Sequence, residues 1–119
     1  LRRRGVPFGV VSSSWRWYVE HCLRELGMYE DAAVIVTGSD GLPLKPAPAP
    51  YQAAARVFRP APPGAVLAVE DSGSGVRSAV AAGLACAAVY NPDSGAQDLS
   101  PARWRLNSLY ELPALLDGN

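Results

Sequence analysis

The stretch AVLAVEDSGSGVRSAVAAGLACAAVY, residues 65–90, decides the fold. Ala65 to Val69 is a continuous apolar run of strand length that ends in two acids, Glu70-Asp71. Ser72 to Ala82 reads as a helix with Gly83 as its cap, and Ala85 to Tyr90 is a second apolar run. A strand, a helix and a strand in this order form a crossover unit. Strands that are apolar throughout need cover on both sheet faces, which is the signature of a parallel sheet between helices.

The same alternation extends upstream. Val6 to Val11 is a short, mostly apolar run that ends in Ser12-Ser13-Ser14. Trp15 to Leu26 carries Tyr18, Val19, Cys22, Leu23 and Leu26 at helical spacing, with Gly27 as a stop. Ala32 to Val36 is another buried strand, followed by a loop from Thr37 to Leu44. Lys45-Pro46-Ala47-Pro48-Ala49-Pro50 cannot be helix interior, because each proline removes a donor and restricts its predecessor. Its last proline can start a helix, expected over Tyr51 to Phe58. Pro60 to Gly64 reads as a turn. The chain from Asn91 is looser, with a closing helix expected over Tyr110 to Leu116. Leu1-Arg2-Arg3-Arg4-Gly5 looks like the last turn of a helix, which suggests a sequence that begins inside one. The expected architecture is α/β: an open, Rossmann-like parallel sheet with helices on both faces and right-handed connections.

Composition limits what such a domain can do. The 119 residues carry eleven basic and eleven acidic side chains, so no net charge argues for nucleic acid or an anionic membrane as partner. No apolar run approaches the roughly 20 residues that span a bilayer. Cys22 and Cys86 are far apart and read as reduced, buried thiols of a cytoplasmic protein. With His21 they fall short of the about four ligands a structural zinc needs. The bases are uneven, ten Arg against the single Lys45, and codon usage in a GC-rich genome accounts for most of that imbalance.

In open parallel sheets ligands bind beyond the carboxyl ends of the strands. Three polar sets lie there: Ser12-Ser13-Ser14 after the first strand, Lys45 after the second, and Glu70-Asp71 at the end of the third. Each has a plain structural reading. Serines at such junctions cap helices, a loop lysine is commonly solvated, and paired acids serve a helix dipole. Together, however, hydroxyl and amide donors, one cation and two carboxylates suit a phosphoryl group held with a divalent ion.

With these residues in place, the chain resembles the C-terminal part of a haloacid dehalogenase (HAD) superfamily phosphohydrolase, of the β-phosphoglucomutase-like and sugar-phosphate phosphatase branch. The matching segments are Gly9-Val10-Val11-Ser12-Ser13-Ser14, Lys45-Pro46-Ala47-Pro48-Ala49-Pro50-Tyr51 and Val69-Glu70-Asp71-Ser72-Gly73-Ser74-Gly75-Val76, with Ala81-Ala82-Gly83 beyond them. The resemblance implies that Ser12 donates its hydroxyl to a phosphoryl oxygen beside the amide of Ser13. It implies that Lys45 bridges the phosphoryl group and a nucleophilic carboxylate. Asp71 would be a catalytic Mg²⁺ ligand, and Glu70 a second ligand, direct or through water. Ser72, Ser74 and Gly75 would shape the turn and helix start. Ala49 stands where relatives commonly carry an acid, and Arg16 is either a contact to a distal anion of the substrate or an exposed helix arginine. A compact ammonium suits the Lys45 position better than a planar guanidinium fork.

The implied reaction is Mg²⁺-dependent hydrolysis of a small phosphorylated metabolite through an aspartyl-phosphate. The nucleophile belongs to an Asp-x-Asp motif on an earlier strand, and no Asp-x-Asp occurs among the 119 residues. Residues 1–119 are therefore expected to form a partial HAD-like core domain, without cap or first strand, that is inactive alone. In the family that strand lies between the one ending at Ser12 and the one ending at Glu70. Its absence should leave either a gap or a direct pairing of those two strands, and a marginally stable chain prone to association. A phosphosugar mutase or a degenerate phosphate-binding module are the alternatives. A phospho-acceptor receiver domain is disfavoured by the order of serine, lysine and acids.

Overall fold

Backbone pairing in a computed structural model, which describes residues 1–117, divides the strands into two parallel sheets. In chain order the elements are β1 (Val10–Val11), α1 (Arg16–Glu25), β2 (Ile35–Val36), α2 (Ala49–Arg56), β3 (Leu67–Glu70), α3 (Gly73–Ala81), β4 (Ala85–Val89), β5 (Trp104–Leu106) and α4 (Leu112–Leu116). β1 pairs with β2, and separately β3, β4 and β5 pair in that order. The register runs Val10 to Ile35 in the first sheet, and Leu67 to Ala85 and Ala87 to Trp104 in the second.

The α/β class follows the sequence reading, with helix ends displaced by a residue or two. α2 starts at Ala49, so Pro50 lies within its first turn instead of preceding it. A proline is tolerated there because the amide it lacks would have no intrahelical partner. The two upstream strands are shorter than their apolar runs, although ladder bonds continue past the paired cores. Ala33 N–H donates to Phe8 O at 2.8 Å, Val10 N–H to Val34 O at 2.9 Å, and Ser12 N–H to Val36 O at 2.9 Å. The expected terminal helical turn is a 3-10 turn over Arg2–Arg4, closed by Gly5 at φ 65. Gly83, at φ 84, follows α3 as predicted.

One strand was not anticipated. β5 is three residues long, alternates a polar arginine between apolar neighbours, and exists by pairing with β4. So short a run has no period of its own, and tertiary pairing decides its state. The closing helix is split, with a 3-10 turn over Leu109–Glu111 ahead of α4.

Of the two anticipated outcomes, direct pairing of β1 with β3 does not occur among the described residues. Parallel ladders engage alternate residues of a strand, so Phe8, Val10 and Ser12 face β2 while Gly9 and Val11 face away. Likewise Ala85 N–H donates to Val66 O, which sets Val66, Ala68 and Glu70 toward β4 and Leu67 and Val69 away. No strand pairing joins β1 to β3 among the described residues. Each sheet thus ends in an unpaired parallel edge.

The core lies on the larger sheet. Ala68, Val76, Ala79, Leu84, Cys86 and Ala88 are buried together with Tyr51 of α2, and small side chains let α3 settle close to β4. Ser78 is fully buried and donates its hydroxyl to Ala47 O at 2.6 Å, anchoring the proline-rich segment to α3. Of the predicted α1 stripe, Val19 and Leu23 are buried whereas Tyr18 and Leu26 are exposed. Burial raises the Cys86 thiol to about 11, with the Glu70 carboxylate adding to it, so this cysteine is an inert core residue. Both cysteines are free.

Candidate active site

The loops after β1, β3 and β4 and the Lys45 loop open onto one cleft of about 880 Å³, whose walls include Ser12, Ser13, Lys45, Glu70, Asp71 and Ser72. Ser12, Ser13, Lys45, Glu70 and Asp71, singled out from the sequence for phosphate and metal chemistry, therefore line one cleft despite separations of up to 59 positions (71 − 12), whereas Arg16 does not.

Lys45 is not a solvated loop residue. Its ammonium lies 2.6 Å from Glu70 Oε2 and donates to Val11 O at 3.1 Å, linking the unpaired edge of β1 to the end of β3. The two side chains are only 11% and 7% exposed, so the pair counts as buried. A second donor meets the same carboxylate oxygen: the Tyr51 hydroxyl, at 2.5 Å. Burial, then the negative charge of Glu70, push the Tyr51 phenol far above its usual range, so it stays a proton donor at any ordinary pH. Tyr51 was read from the sequence as the start of a helix and the end of the lysine-proline segment, with no role assigned to its hydroxyl. Nothing local reveals its role, because α2 must first dock against β3.

Glu70 is held on a third side by Gly75. A Cβ at Gly75 would overlap the Glu70 carboxylate, so the helix start must be glycine for the acid to lie where it does. Ser72 caps α3 by accepting from Gly75 N–H at 3.1 Å. The expected division of labour between turn-shaping residues and acids thus has a geometric basis.

Asp71 turns the other way, toward the loop after β4. Asn91 Nδ2 donates to Asp71 Oδ2 at 2.8 Å and Ser94 Oγ donates to the same oxygen at 3.2 Å. Asp71 Oδ1 takes no hydrogen bond from the described residues. Asn91 and Ser94 are further site residues that the sequence reading left in a loose tail.

The serine loop is not a helix cap. Trp15 occupies the N-cap position of α1 without a side-chain cap bond, and the amide of Arg16 is met by Ser39 Oγ at 2.9 Å from the next loop. Ser12 Oγ accepts from Ser14 N–H at 3.1 Å, which spends a lone pair and keeps the hydroxyl proton for another acceptor. Arg16 also departs from expectation. Its guanidinium meets both Asp40 oxygens at 3.0 and 3.1 Å, Glu20 at 3.2 Å and Ile35 O at 2.9 Å, so its donors are directed to protein and not to a distal substrate anion. The Asp40 contact, chiefly, raises the Arg16 pKa. The Thr37 amide, and then Arg16, hold Asp40 below the usual carboxylate range.

The donor set suits Mg²⁺. The cleft offers carboxylate, hydroxyl and amide oxygens from Asp71, Glu70, Ser72 and Asn91, with no thiol or imidazole lining it. No group of three or more acidic, His or Cys side chains forms a full cage among the described residues.

Comparisons with known proteins identify the family. Residues 1–89 match the family model described as haloacid dehalogenase-like hydrolase. The chain is 36% identical over 116 residues to the Bacillus subtilis protein named "Putative phosphatase YhcW", covering 95% of this chain and 52% of that protein. It is 32% identical over 113 residues to validoxylamine A 7'-phosphate phosphatase of Streptomyces hygroscopicus, covering 87% and 53%. The crystal structure of CbbY from Rhodobacter sphaeroides in complex with phosphate superimposes with a TM-score of 0.84 at 31% identity, over 93% of this chain and 50% of that one. The chain spans about half the length of the curated relatives it matches. A buried lysine–glutamate pair at the head of a parallel sheet, the serine loop across from it and the match over 89 residues lead to one assignment: the chain belongs to the haloacid dehalogenase-like hydrolase family.

Proposed function

We propose that residues 1–119 are part of the core domain of a Mg²⁺-dependent phosphohydrolase that acts on a small phosphorylated metabolite, such as a sugar phosphate. The observation that carries this reading is Lys45, buried between the Val11 carbonyl and Glu70 in the cleft shared with Ser12, Ser13 and Asp71. Ser12 and the Ser13 amide would bind phosphoryl oxygens while Lys45 neutralises their charge. Asp71, with Glu70 beside it, would hold the ion. Bound there, Mg²⁺ would polarise a phosphoryl oxygen and offset charge in the transition state.

The nucleophile completes the proposal. No Asp-x-Asp occurs among these residues, so the reading assigns the attacking carboxylate to a strand lying between the free edges of β1 and β3. There Lys45 would reach it; the carboxylate would displace the substrate's alcohol from phosphorus to give an aspartyl-phosphate, which water would cleave to inorganic phosphate and the free carboxylate. The chain alone, without a cap, would bind phosphate but not turn it over. Two free thiols support a reducing, cytoplasmic setting, and no described helix is long and apolar enough to cross a membrane.

Calorimetric titration with inorganic phosphate in the presence of Mg²⁺ tests the binding half of this reading. Saturable binding is expected, weakened at least about tenfold in Lys45→Ala, as loss of a charge-assisted contact implies. Binding that is unchanged in Lys45→Ala would remove the phosphoryl site from this cleft.

A further inference from the structure

We infer that Arg16 and Asp40 form a positioning clamp that holds the serine loop and the lysine-bearing loop together as one phosphoryl-binding surface. The inference rests on the phosphoryl-site reading above, and deepens it. Arg16 opens α1 directly after the serine loop, and Asp40 lies five residues before Lys45. Arg16 Nη2 lies 3.0 and 3.1 Å from the two Asp40 oxygens and Nε lies 3.4 Å from Oδ1, so two guanidinium nitrogens face one carboxylate and restrict its orientation as well as its distance.

Two backbone contacts cross the same junction. Arg16 N–H donates to Ser39 Oγ at 2.9 Å, and Gly38 N–H donates to Ser14 O at 2.8 Å. Gly38 has no Cβ because the Ser13 and Ser14 carbonyls occupy that space. Asp40 is itself fixed to its own loop by Thr37 N–H at 2.9 Å and Thr37 Oγ1 at 3.1 Å. The guanidinium also caps the carbonyl of Ile35 at 2.9 Å, so one side chain spans the start of α1, β2 and the loop leaving it.

A phosphoryl group needs donors from both loops at once, Ser12 and Ser13 from one and Lys45 from the other. Fixing the loops before the ligand arrives lowers the ordering cost of binding. The Arg16–Glu20 pair, at i and i+4 on α1, touches neither loop and serves as a control.

The test is a titration of the isotope-labelled chain with inorganic phosphate, followed through the amide signals of Ser12 and Ser13. Asp40→Asn and Arg16→Lys should each bind phosphate about tenfold more weakly, within the range typical of coupled sites. Lysine cannot supply the fork, so Arg16→Lys is not a conservative change. Glu20→Gln should bind as the parent does. Signals from α3 and β4 report that each variant is folded. Phosphate affinity within twofold of the parent in both clamp variants overturns the inference, because a merely structural pair would lower the melting temperature alone. Loss of the folded spectrum in both variants also overturns it, since the pair would then determine the fold. If the parent does not bind phosphate, or Lys45→Ala binds it equally well, the phosphoryl-site reading itself fails.

Discussion

Replacing Glu70 by alanine is expected to cost about 3–5 kcal/mol of stability, the usual penalty for stripping one partner from a buried ion pair. Lys45 would keep a charge that is 11% exposed with no counter-charge, and the Tyr51 hydroxyl would lose its acceptor. The void would lie beside Gly75, which has no side chain to fill it. Small domains have about 5–15 kcal/mol in total, so this one change removes much of the margin. Urea denaturation measures it. Lys45→Met is the informative partner, because it leaves Glu70 with the Tyr51 donor and should cost less. A Glu70→Ala chain whose stability falls by less than about 1 kcal/mol, as for an exposed pair, would show that the pair is solvated in solution.

The double substitution Asn91→Ala, Ser94→Ala should weaken divalent-ion binding about 10–100-fold, the usual effect of removing groups that orient a ligating carboxylate. Both donors fall on Oδ2 of Asp71, which fixes the plane of the carboxylate and leaves Oδ1 for an ion. Without them the side chain regains rotamers, and the ordering cost returns when the ion binds. Mn²⁺ is a suitable probe, read by paramagnetic broadening of amide signals near Asp71. Asp71→Asn should abolish that broadening. Unaltered Mn²⁺ affinity in the double variant would mean that the loop after β4 does not position the acid.

Much of this arrangement was legible in the sequence because its signals are local. Apolar runs such as Ala85 to Tyr90 announce buried parallel strands, and the known rule for such sheets directs attention to their carboxyl ends. Ser12, Lys45 and Glu70-Asp71 were identified on that basis and do share one cleft. What escaped depends on tertiary docking. β5 forms only against β4, Tyr51 reaches Glu70 only once α2 packs on the sheet, and Asn91 meets Asp71 from 20 positions away, after α3 and β4. The pairing of Arg16 with Asp40 was missed for a related reason. Its partner Asp40 is 24 positions away, out of reach of local signals, although Glu20 at i+4 already offers an opposite charge on the same helix.

The two free strand edges give the account its sharpest consequence. Val11 and Leu67 belong to parallel edges whose outward backbone groups face no ladder, and an inserted parallel strand would satisfy both. A synthetic strand of about six apolar residues, a common strand length, ending in Asp-x-Asp would bring a carboxylate to Lys45. The measurement is hydrolysis of p-nitrophenyl phosphate with Mg²⁺, by the chain alone and with that peptide added. The account predicts no turnover by the chain alone. With the peptide it predicts turnover that disappears in Lys45→Ala and when the first Asp of the peptide is replaced by Asn. Turnover by the 119 residues alone that Lys45→Ala abolishes would contradict it, because the nucleophile would then lie within this chain.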